Sequence, residues 1–564
     1  MDRTLLVCAG TGCIANGALR IVDALIKAAA VAEKEGILKI SVTLKGGIKP
    51  TGCNGFCENG PIVRLMPDDV IYYHVKSDDA KDIINHIAGK GEAVDRLLYK
   101  NDVGKKVLSQ NENPFYSKQH KIALKNSGLI ESGSGNVNDY FKHGGFEALK
   151  KALSMSADEI ICEVEKSLLR GRGGAGFPTG RKWRQCASYD DFPKYVVCNG
   201  DEGDPGAFMD RSILEGDLHC VIEGLLIAAR AVGAAEGFMY IRDEYDLALK
   251  NVHKALKTAR ESGYLGKNIL GSGWDFDISV VRGGGAFVCG ESSALMTSIE
   301  GRVGEPRTKY IRSVQKGLWD KPTVLNNVET LANIPHIILH GGDEFKKIET
   351  KTSPGTKVFA LVGKVKRTGL VEVPMGTTLR QLVFEIGGGV TGNREFKAVQ
   401  TGGPSGGCIP ASLLDLSLDF ETLDKHGSMM GSGGVIVMDD HTCMVEVARY
   451  YTNFLAEESC GKCTPCREGL RRMLQILTDI TGGDGREGDI ERLEEIAVTM
   501  QEASLCGLGK TAANPVLSTI KYFKNEYEAH LNEKKCPAGI CPALTTFVIN
   551  DKCKSCGLCV KACP

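Results

Sequence analysis

The sequence predicts a multidomain α/β protein with cysteine-rich, metal-binding modules at both ends. Three observations carry that expectation. At 564 residues the chain is too long for one hydrophobic core. Helical and β-rich runs alternate through its middle, and most of its cysteines gather in three groups towards the two ends. Hydrophobic residues at 42% and charged residues at 25% place it among globular proteins, and a net charge of −1 gives no field favouring nucleic acid or anionic membrane. No apolar run reaches the length of a membrane span, and residues 1–12 lack the basic start and apolar stretch of a secretory signal. A soluble, cytoplasmic protein is expected.

Residues 3–8 (RTLLVC) read as a buried strand, and Leu19, Val22, Leu25, Ile26 and Ala29 fall at helical spacing within 17–34. A strand at 40–44 (ISVTL), a Gly-rich turn bearing Cys53 and Cys57, and a strand at 61–66 (PIVRLM) complete a small α/β module over 1–95. The polar stretch 96–120 reads as a connector. In 121–350, helices at 146–154, 213–231 and 245–262 alternate with β-rich runs at 195–199, 237–242 and 276–282, which favours a parallel sheet flanked by helices. In 351–440, short strands separated by Gly and Pro (VFALVGKV, LVEVP, AVQTGG, GVIVM) predict a small, separate β-rich domain. Residues 441–530 are helical by period, interrupted by a cysteine loop at 459–466. Residues 531–564 have little apolar content, so a metal must organise them.

The chain has 21 cysteines, and a disulfide framework suits neither its size nor the lack of an export signal, so the clustered ones read as metal ligands. Cys553, Cys556, Cys559 and Cys563, followed by Pro564, match the C-x2-C-x2-C-x3-C-P run of 4Fe–4S ferredoxins. There the fourth cysteine serves another cluster, so Cys563 is assigned to a second 4Fe–4S centre completed beyond Pro564. Cys460, Cys463 and Cys466, with Cys506 downstream, suit one 4Fe–4S cubane, with structural zinc as the competitor. Cys8, Cys13, Cys53 and Cys57, two thiolates from each of two loops, suit a 2Fe–2S centre, with zinc or a redox dithiol as competitors.

Four loops of the middle block carry phosphate- and amide-binding chemistry. Gly171, Gly173, Gly174 and Gly176 with Arg172 and Lys182 beside them can approach a phosphate and offset its charge. Asn199, Asp201, Glu202 and Asp204 follow a strand, where α/β sheets bind ligands. A second glycine turn spans 283–291, and Asn326, Asn327 and Thr330 add amides and a hydroxyl. Each alone is ordinary loop chemistry; together they favour a cofactor pocket.

Taken together, GRGGAGFPTGRKW, NGDEGDPGAFMDR, GGGAFVCGES, LNNVET and ESCGKCTPCREG resemble the nucleotide- and FMN-binding flavoprotein subunit of complex I, the 51-kDa-like family. With the modules at both ends, the chain looks most like the NAD-binding beta subunit of electron-bifurcating iron hydrogenases and the similar subunits of bifurcating formate dehydrogenases and transhydrogenases. That resemblance implies a thioredoxin-like 2Fe–2S ferredoxin domain, a Rossmann-like FMN domain, a β-grasp-like (SLBB-type) domain, a helical bundle and a ferredoxin-like segment. It assigns Gly171, Arg172, Gly174, Lys182, Asn199, Asp201, Glu202, Asn326, Asn327 and Thr330 to FMN, and Phe177, Glu202, Asp204, Glu291 and Lys309 to the nicotinamide nucleotide. It implies hydride exchange between NAD(H) and FMN, with single electrons passing through the clusters. The implied partners are ferredoxin, a small 2Fe–2S subunit of the complex I 24-kDa type, and a hydrogenase, formate dehydrogenase or second flavoprotein. The implied assembly is a hetero-oligomer without nucleic acid. No protein acid or base is required for the hydride step.

Two departures matter. Relatives usually carry Cys-Gly-Glu-Glu-Thr where this chain has Cys289-Gly290-Glu291-Ser292-Ser293, and an aromatic after Arg307 where it has Thr308-Lys309-Tyr310-Ile311-Arg312. A lost carboxylate and a gained cation favour the 2′-phosphate of NADP(H), which stands beside NAD(H) as an alternative. Cys536 and Cys541, with His530 and Cys443, are expected to form a zinc site; unliganded thiols are the alternative. Cys162, Cys186, Cys198, Cys220 and Cys408 read as small core residues, and His219, His336 and His340 as structural. A plain NADH dehydrogenase module and a non-enzymatic iron–sulfur scaffold are the competing function classes.

Overall fold

In the computed structural model of the chain, β1 (Thr4–Cys8) lies inside a four-stranded sheet of order β2-β1-β3-β4, with β2 at Gly47–Thr51, β3 at Val63–Met66 and β4 at Val70–Tyr72. The structure describes residues 3–562 apart from 37–43, 45, 102, 133–136, 309–310, 349, 351, 546–548 and 550. Most of the strand expected at 40–44 therefore lies outside the described residues; the parallel partner of β1 is β2, a few residues later. Helix α1 (Ala18–Lys34) buries Ile21, Val22, Leu25 and Ala29. It leaves Leu19 and Ile26 about half exposed, so the inward stripe is rotated from the one read in the sequence.

The stretch 96–120 is not a polar connector. It forms a hairpin (Tyr99–Lys100 with Lys106–Val107) and a short helix (Pro114–Ser117) whose Phe115 and Tyr116 are buried. Phe115 stacks on Phe56 of the Cys53–Cys57 loop at 4.1 Å between ring centroids. Two buried aromatic residues in an otherwise polar stretch were the signal that the segment folds.

The central domain holds an all-parallel sheet. Its strands are β5 (Tyr195–Gly200), β6 (Glu236–Arg242), β7 (Asp277–Gly283) and β8 (Thr323–Asn327), in the order β8-β5-β6-β7. The helix expected over 213–231 is two. One is α2 (Met209–Gly216) and the other α3 (Leu218–Val232), broken at Asp217, whose φ of −137° and ψ of 58° leave the helical region. α3 is buried on almost every face, against α4 (Val328–His340) and the sheet.

The β-rich domain is a five-stranded sheet of order β10-β9-β13-β11-β12, formed by β9 (Thr356–Gly363), β10 (Gly369–Pro374), β11 (Phe396–Thr401), β12 (Gly407–Pro410) and β13 (Gly434–Asp439). It is not separate. Phe359, Leu361 and Val371 share one core with Phe56 and Phe115 of the N-terminal region, and Lys357 of β9 is ion-paired to Glu329 of α4 with both side chains buried. Four long helices follow: α5 (Met444–Glu458), α6 (Thr464–Gly482), α7 (Asp489–Ala503) and α8 (Asn514–Asn532). Among the described residues no helix is long and apolar enough to cross a membrane.

Candidate functional site

The strand order places β5 between β8 and β6: the chain leaves β5 towards β6, whereas β8, the last strand of this sheet, leads into α4, so the strand order reverses between β5 and β8. A crevice opens at such a switch point, outside the carboxyl ends of the strands, where α/β sheets bind ligands. Asn199 is the penultimate residue of β5 and Asn327 ends β8, and the two are register partners. The glycine loop closes over this crevice. Gly174 (φ 120°) and Gly176 (φ 60°) take conformations that L side chains avoid, and a Cβ at Gly173 would lie 2.9 Å from the Asn327 side chain.

The side chains divide into those facing the crevice and those fixing its walls. Both carboxylate oxygens of Asp201 are buried without a hydrogen-bond partner; Arg242, at the end of β6, is 3.6 Å away. Burial pushes the Asp201 carboxyl up to about 7 and Asp204 up to about 6, while Ser432 donates to Asp204. Desolvation pulls the Lys182 amine down to about 8; its Nζ donates to the Leu325 carbonyl at 2.8 Å. Phe177 lies at the mouth, with Lys182, Arg181 and Arg312 each within about 6 Å of its ring.

Glu202 accepts from the backbone N–H groups of Met209, Asp210 and Arg211, capping α2, with burial raising its carboxyl. The Asn327 carbonyl oxygen caps α4 at Glu329 and Thr330, and its amide donates to Asp210. Glu291 caps the helix Ser292–Ile299 at Ser293 and Ala294. Asn199 donates to Gly290 O at 3.1 Å, Asn326 accepts from the Trp183 indole at 2.9 Å, and the Thr330 hydroxyl accepts from Arg172 N at 2.8 Å.

The Arg172 guanidinium is buried and donates to the carbonyls of Thr356, Arg170 and Pro354, so it braces the loop from within. Lys309 lies outside the described residues. Sequence reasoning gave no role to Trp183, Arg242 or the Lys357–Glu329 pair. Arg242 was the findable one, because it closes a parallel strand at its ligand-binding end. The pocket suits FMN: a glycine loop that a Cβ at Gly173 or Gly176 would crowd, a desolvated amine, and a buried carboxylate without a hydrogen-bond partner that can accept an N–H.

Cys460, Cys463, Cys466 and Cys506 line one small cavity, whose wall includes Val288 and Pro306 from the nucleotide loops. Cys463 occupies the position before α6 and Cys466 its first turn, and Cys506 precedes the short helix Gly507–Thr511, so the positive end of the long helix α6 favours the thiolates beside it. Phe287 N donates to Glu458 at 2.8 Å, fastening the nucleotide loop to the end of α5. At the N-terminal site Cys53 and Cys57 lie 3.9 Å apart through sulfur, and Cys8 and Cys13 are buried. The neighbouring Cys13 thiol, with burial, pushes the Cys8 thiol well up. A Cβ at Gly60 would lie 2.7 Å from the Cys13 sulfur and one at Gly10 3.0 Å from Cys53 Cβ, so glycines leave the room a cluster needs.

Cys443, His530, Cys536 and Cys541 converge, all buried, with their ligand atoms within 4.8 Å of one another. Cys443 Sγ is 3.8 Å from Cys541 Sγ, and His530 Nε2 is 3.4 Å from both sulfurs. A tetrahedral zinc with ordinary bond lengths sets sulfur atoms about 3.8 Å apart and nitrogen and sulfur about 3.5 Å apart. His530 Nδ1 faces Glu526 O at 2.7 Å, which leaves Nε2 for a metal. Cys553, Cys556 and Cys559 are exposed, and Cys563 lies outside the described residues. Cys186, Cys198, Cys220 and Cys408 are buried as expected; Cys162 is half-buried beside Arg184. His219 is buried, and His336 and His340 pack ring on ring at 4.5 Å.

Comparison with known proteins matches residues 164–336 to the Nuo51 FMN-binding domain and 446–530 to the NADH-ubiquinone oxidoreductase-F iron-sulfur binding region. Residues 2–88 match the thioredoxin-like [2Fe-2S] ferredoxin and 546–564 the 4Fe-4S binding domain. The chain is 53% identical over 448 residues to the NADP-reducing hydrogenase subunit HndC of Solidesulfovibrio fructosivorans, covering 79% of this chain and 91% of that one. It is 46% identical over 402 residues to the F 2 subunit of the NADH-quinone oxidoreductase of Rhizobium meliloti (strain 1021), covering 71% and 96%. Among solved structures, an NAD+-reducing [NiFe]-hydrogenase in the H2-reduced state aligns with a TM-score of 0.64 at 29% identity, over 94% of this chain and 84% of that one. The crevice at the switch point and the four-cysteine cavity against it thus have their counterpart in a known group: the chain belongs to the Nuo51 family of FMN-binding, iron–sulfur flavoproteins.

Proposed function

We propose that the chain is the FMN and iron–sulfur subunit of a cytoplasmic, hetero-oligomeric NAD(P)H-dependent oxidoreductase. The observation that carries this reading is the lining of the Cys460–Cys506 cavity, to which Val288 of the second glycine turn and Pro306 of the loop before Arg307 contribute. Bound FMN supplies hydride acceptance from the nicotinamide and the change from two-electron to one-electron chemistry. The chain's own residues position the partners. The backbone of 171–176 and the Lys182 amine hold the flavin phosphate, and Asp201 and Asn199 hold the ring. Phe177, with Asp204 and Glu291 across the mouth, orders the nucleotide.

The complex distributes electrons to ferredoxin and to a hydrogenase, formate dehydrogenase or second flavoprotein, and does so by bifurcation. The distinct cluster modules supply the branches this requires. Requiring ferredoxin and a second acceptor together for NADH oxidation is the expected result; equal rates with either acceptor alone would remove bifurcation. NAD(H) is the assigned nucleotide, and kcat/KM for both nucleotides tests it. The NADP(H) alternative is favoured by the cations Arg181 and Arg312 around Phe177. A plain NADH dehydrogenase module is the second reading, favoured by the identity to the NADH-quinone oxidoreductase relative of Rhizobium meliloti. The convergent Cys443, His530, Cys536 and Cys541 are assigned to zinc.

A further inference from the structure

We propose that Arg211 sets the reduction potential of the 2Fe–2S centre held by Cys8, Cys13, Cys53 and Cys57, as a fixed cation at the seam between the flavin pocket and that thiolate cradle. The proposal rests on the 2Fe–2S assignment of the N-terminal domain.

Helix α2 joins the two sites. At its start, the backbone N–H of Arg211 donates to Glu202 of the flavin loop at 3.1 Å. At its end, Gly216 packs directly on the cysteine loop: a Cβ at Gly52 would lie 2.1 Å from Gly216 Cα, and one at Gly216 would lie 3.7 Å from Cys53 N. Eight helical residues span about 12 Å, so the helix keeps both sites within its own length.

Arg211 and Glu215 lie one turn apart on one face of this helix, and their charges are spent differently. The Glu215 carboxylate accepts from Thr11 N at 3.0 Å and from the Thr11 hydroxyl, strapping down the loop between Cys8 and Cys13. Its contact with Arg211 is loose, at 3.9 Å. Arg211 Nε is buried and has no hydrogen-bond partner. The guanidinium is held instead by two rings, Phe208 at 5.7 Å and Tyr245 at 5.6 Å. The cation is thus placed between two rings and one loosely held carboxylate. Arg211 lies 3.9 Å from the carboxylate that straps the loop between Cys8 and Cys13, so both charges border the cradle. A nearby positive charge stabilises the more negative, reduced cluster and raises its potential.

The test is an EPR-monitored redox titration of the full chain, purified anaerobically with its clusters. Arg211→Gln is expected to keep its iron content and shift the 2Fe–2S midpoint to lower potential, while the Cys460–Cys506 cluster titrates as in the wild type. Arg211→Lys should stay near the wild-type value, which separates charge from shape. Glu215→Gln, whose amide oxygen still accepts from Thr11, should shift the midpoint upward. Wild-type midpoints in both Arg211→Gln and Glu215→Gln overturn the proposal. Should Arg211→Gln fail to hold the cluster, Arg211→Met, whose side chain can still pack between Phe208 and Tyr245, decides instead: a downward shift supports the proposal and no shift overturns it. A wild-type chain with no 2Fe–2S signal removes the cluster assignment and the proposal with it, a result distinct from an unmoved midpoint.

Discussion

Cys460, Cys463 and Cys466 have the same spacing as Cys553, Cys556 and Cys559, yet the two runs sit in opposite surroundings. The first lies at the N-terminus of a 19-residue helix, in a cavity that Leu508, Val288 and Pro306 help to wall, with Cys506 brought in from a separate helix. The second is exposed, on a segment whose Leu558 and Val560 are 67% and 76% exposed. Spacing of this kind says which residues ligate. Burial decides whether the cradle stands before the metal arrives, because a segment without its own core gains its order from metal binding. The same contrast separates a cluster held at fixed distance from the flavin pocket from one whose position the fold does not fix.

The largest expected effect comes from removing one ligand on each side of this comparison. Cys506→Ala should lose the cluster beside the flavin pocket, and cluster-dependent NADH oxidation should fall to background. Reduction of an artificial dye at the flavin level, and the melting of the helical bundle, should persist. Cys553→Ala should spare the near-flavin cluster signal entirely. Loss of the bundle in Cys553→Ala, but not in Cys506→Ala, would reverse the comparison.

The Cys443 site lies between these extremes, with buried ligands that come partly from α5 and α8 and partly from the segment beyond them. One zinc per chain is expected by metal analysis, and its absence would remove the site. Cys541→Ser or strong chelation should open the segment after α8, so that trypsin cuts at Lys534 and Lys535 while the rest of the bundle stays intact. Equal resistance with and without the metal would show that packing alone holds the segment.

The framework side is sharpened by Lys357. Its ammonium and the Glu329 carboxylate are both buried, and Glu329 also accepts from Val358 N at 2.8 Å. Lys357→Met leaves that carboxylate buried and unpaired, at a cost of about 3–5 kcal/mol in denaturant unfolding. Adding Glu329→Gln should recover part of the loss. A single variant as stable as the wild type would mean the pair does not brace the central domain against β9.

Most of the ligand chemistry was legible in the sequence, because thiolate spacing and glycine loops are local. The parallel sheet was legible too, through alternation of helical and β-rich runs. What escaped was set by tertiary contact. The guanidinium of Arg172 sits among phosphate-loop glycines, yet three carbonyls, two of them brought in from residues 354 and 356, claim it. The β-rich domain reads as separate because what joins it to the rest, the core that Phe359, Leu361 and Val371 share with Phe56 and Phe115 and the buried Lys357–Glu329 pair, leaves no local periodic signal. The break at Asp217 follows Gly216, and the close approach of Gly216 to Gly52, a contact no sequence pattern announces, ties the end of α2 to the cysteine loop.

The smallest expected effect tests whether the preformed pocket stores unfavourable energy. The Asp201 carboxyl is raised from 3.8 to about 7 by burial. Between those values the folded chain keeps a proton that the unfolded chain has lost, so stability falls as pH rises through the window; above about 7 both states are ionised and the cost is complete. The shift corresponds to about 4 kcal/mol at most. Urea unfolding of the flavin-free chain at pH 5 and pH 8 should show the wild type losing more stability than Asp201→Asn. The difference between the two proteins cancels the other carboxyls, such as Asp204. Binding of FMN should weaken by about 10- to 100-fold in the variant, the loss expected when a hydrogen bond to a charged group is removed. Identical pH slopes for the two proteins would show that Asp201 is compensated. The cavity would then owe its shape to packing alone, as the cysteine cradle beside it does.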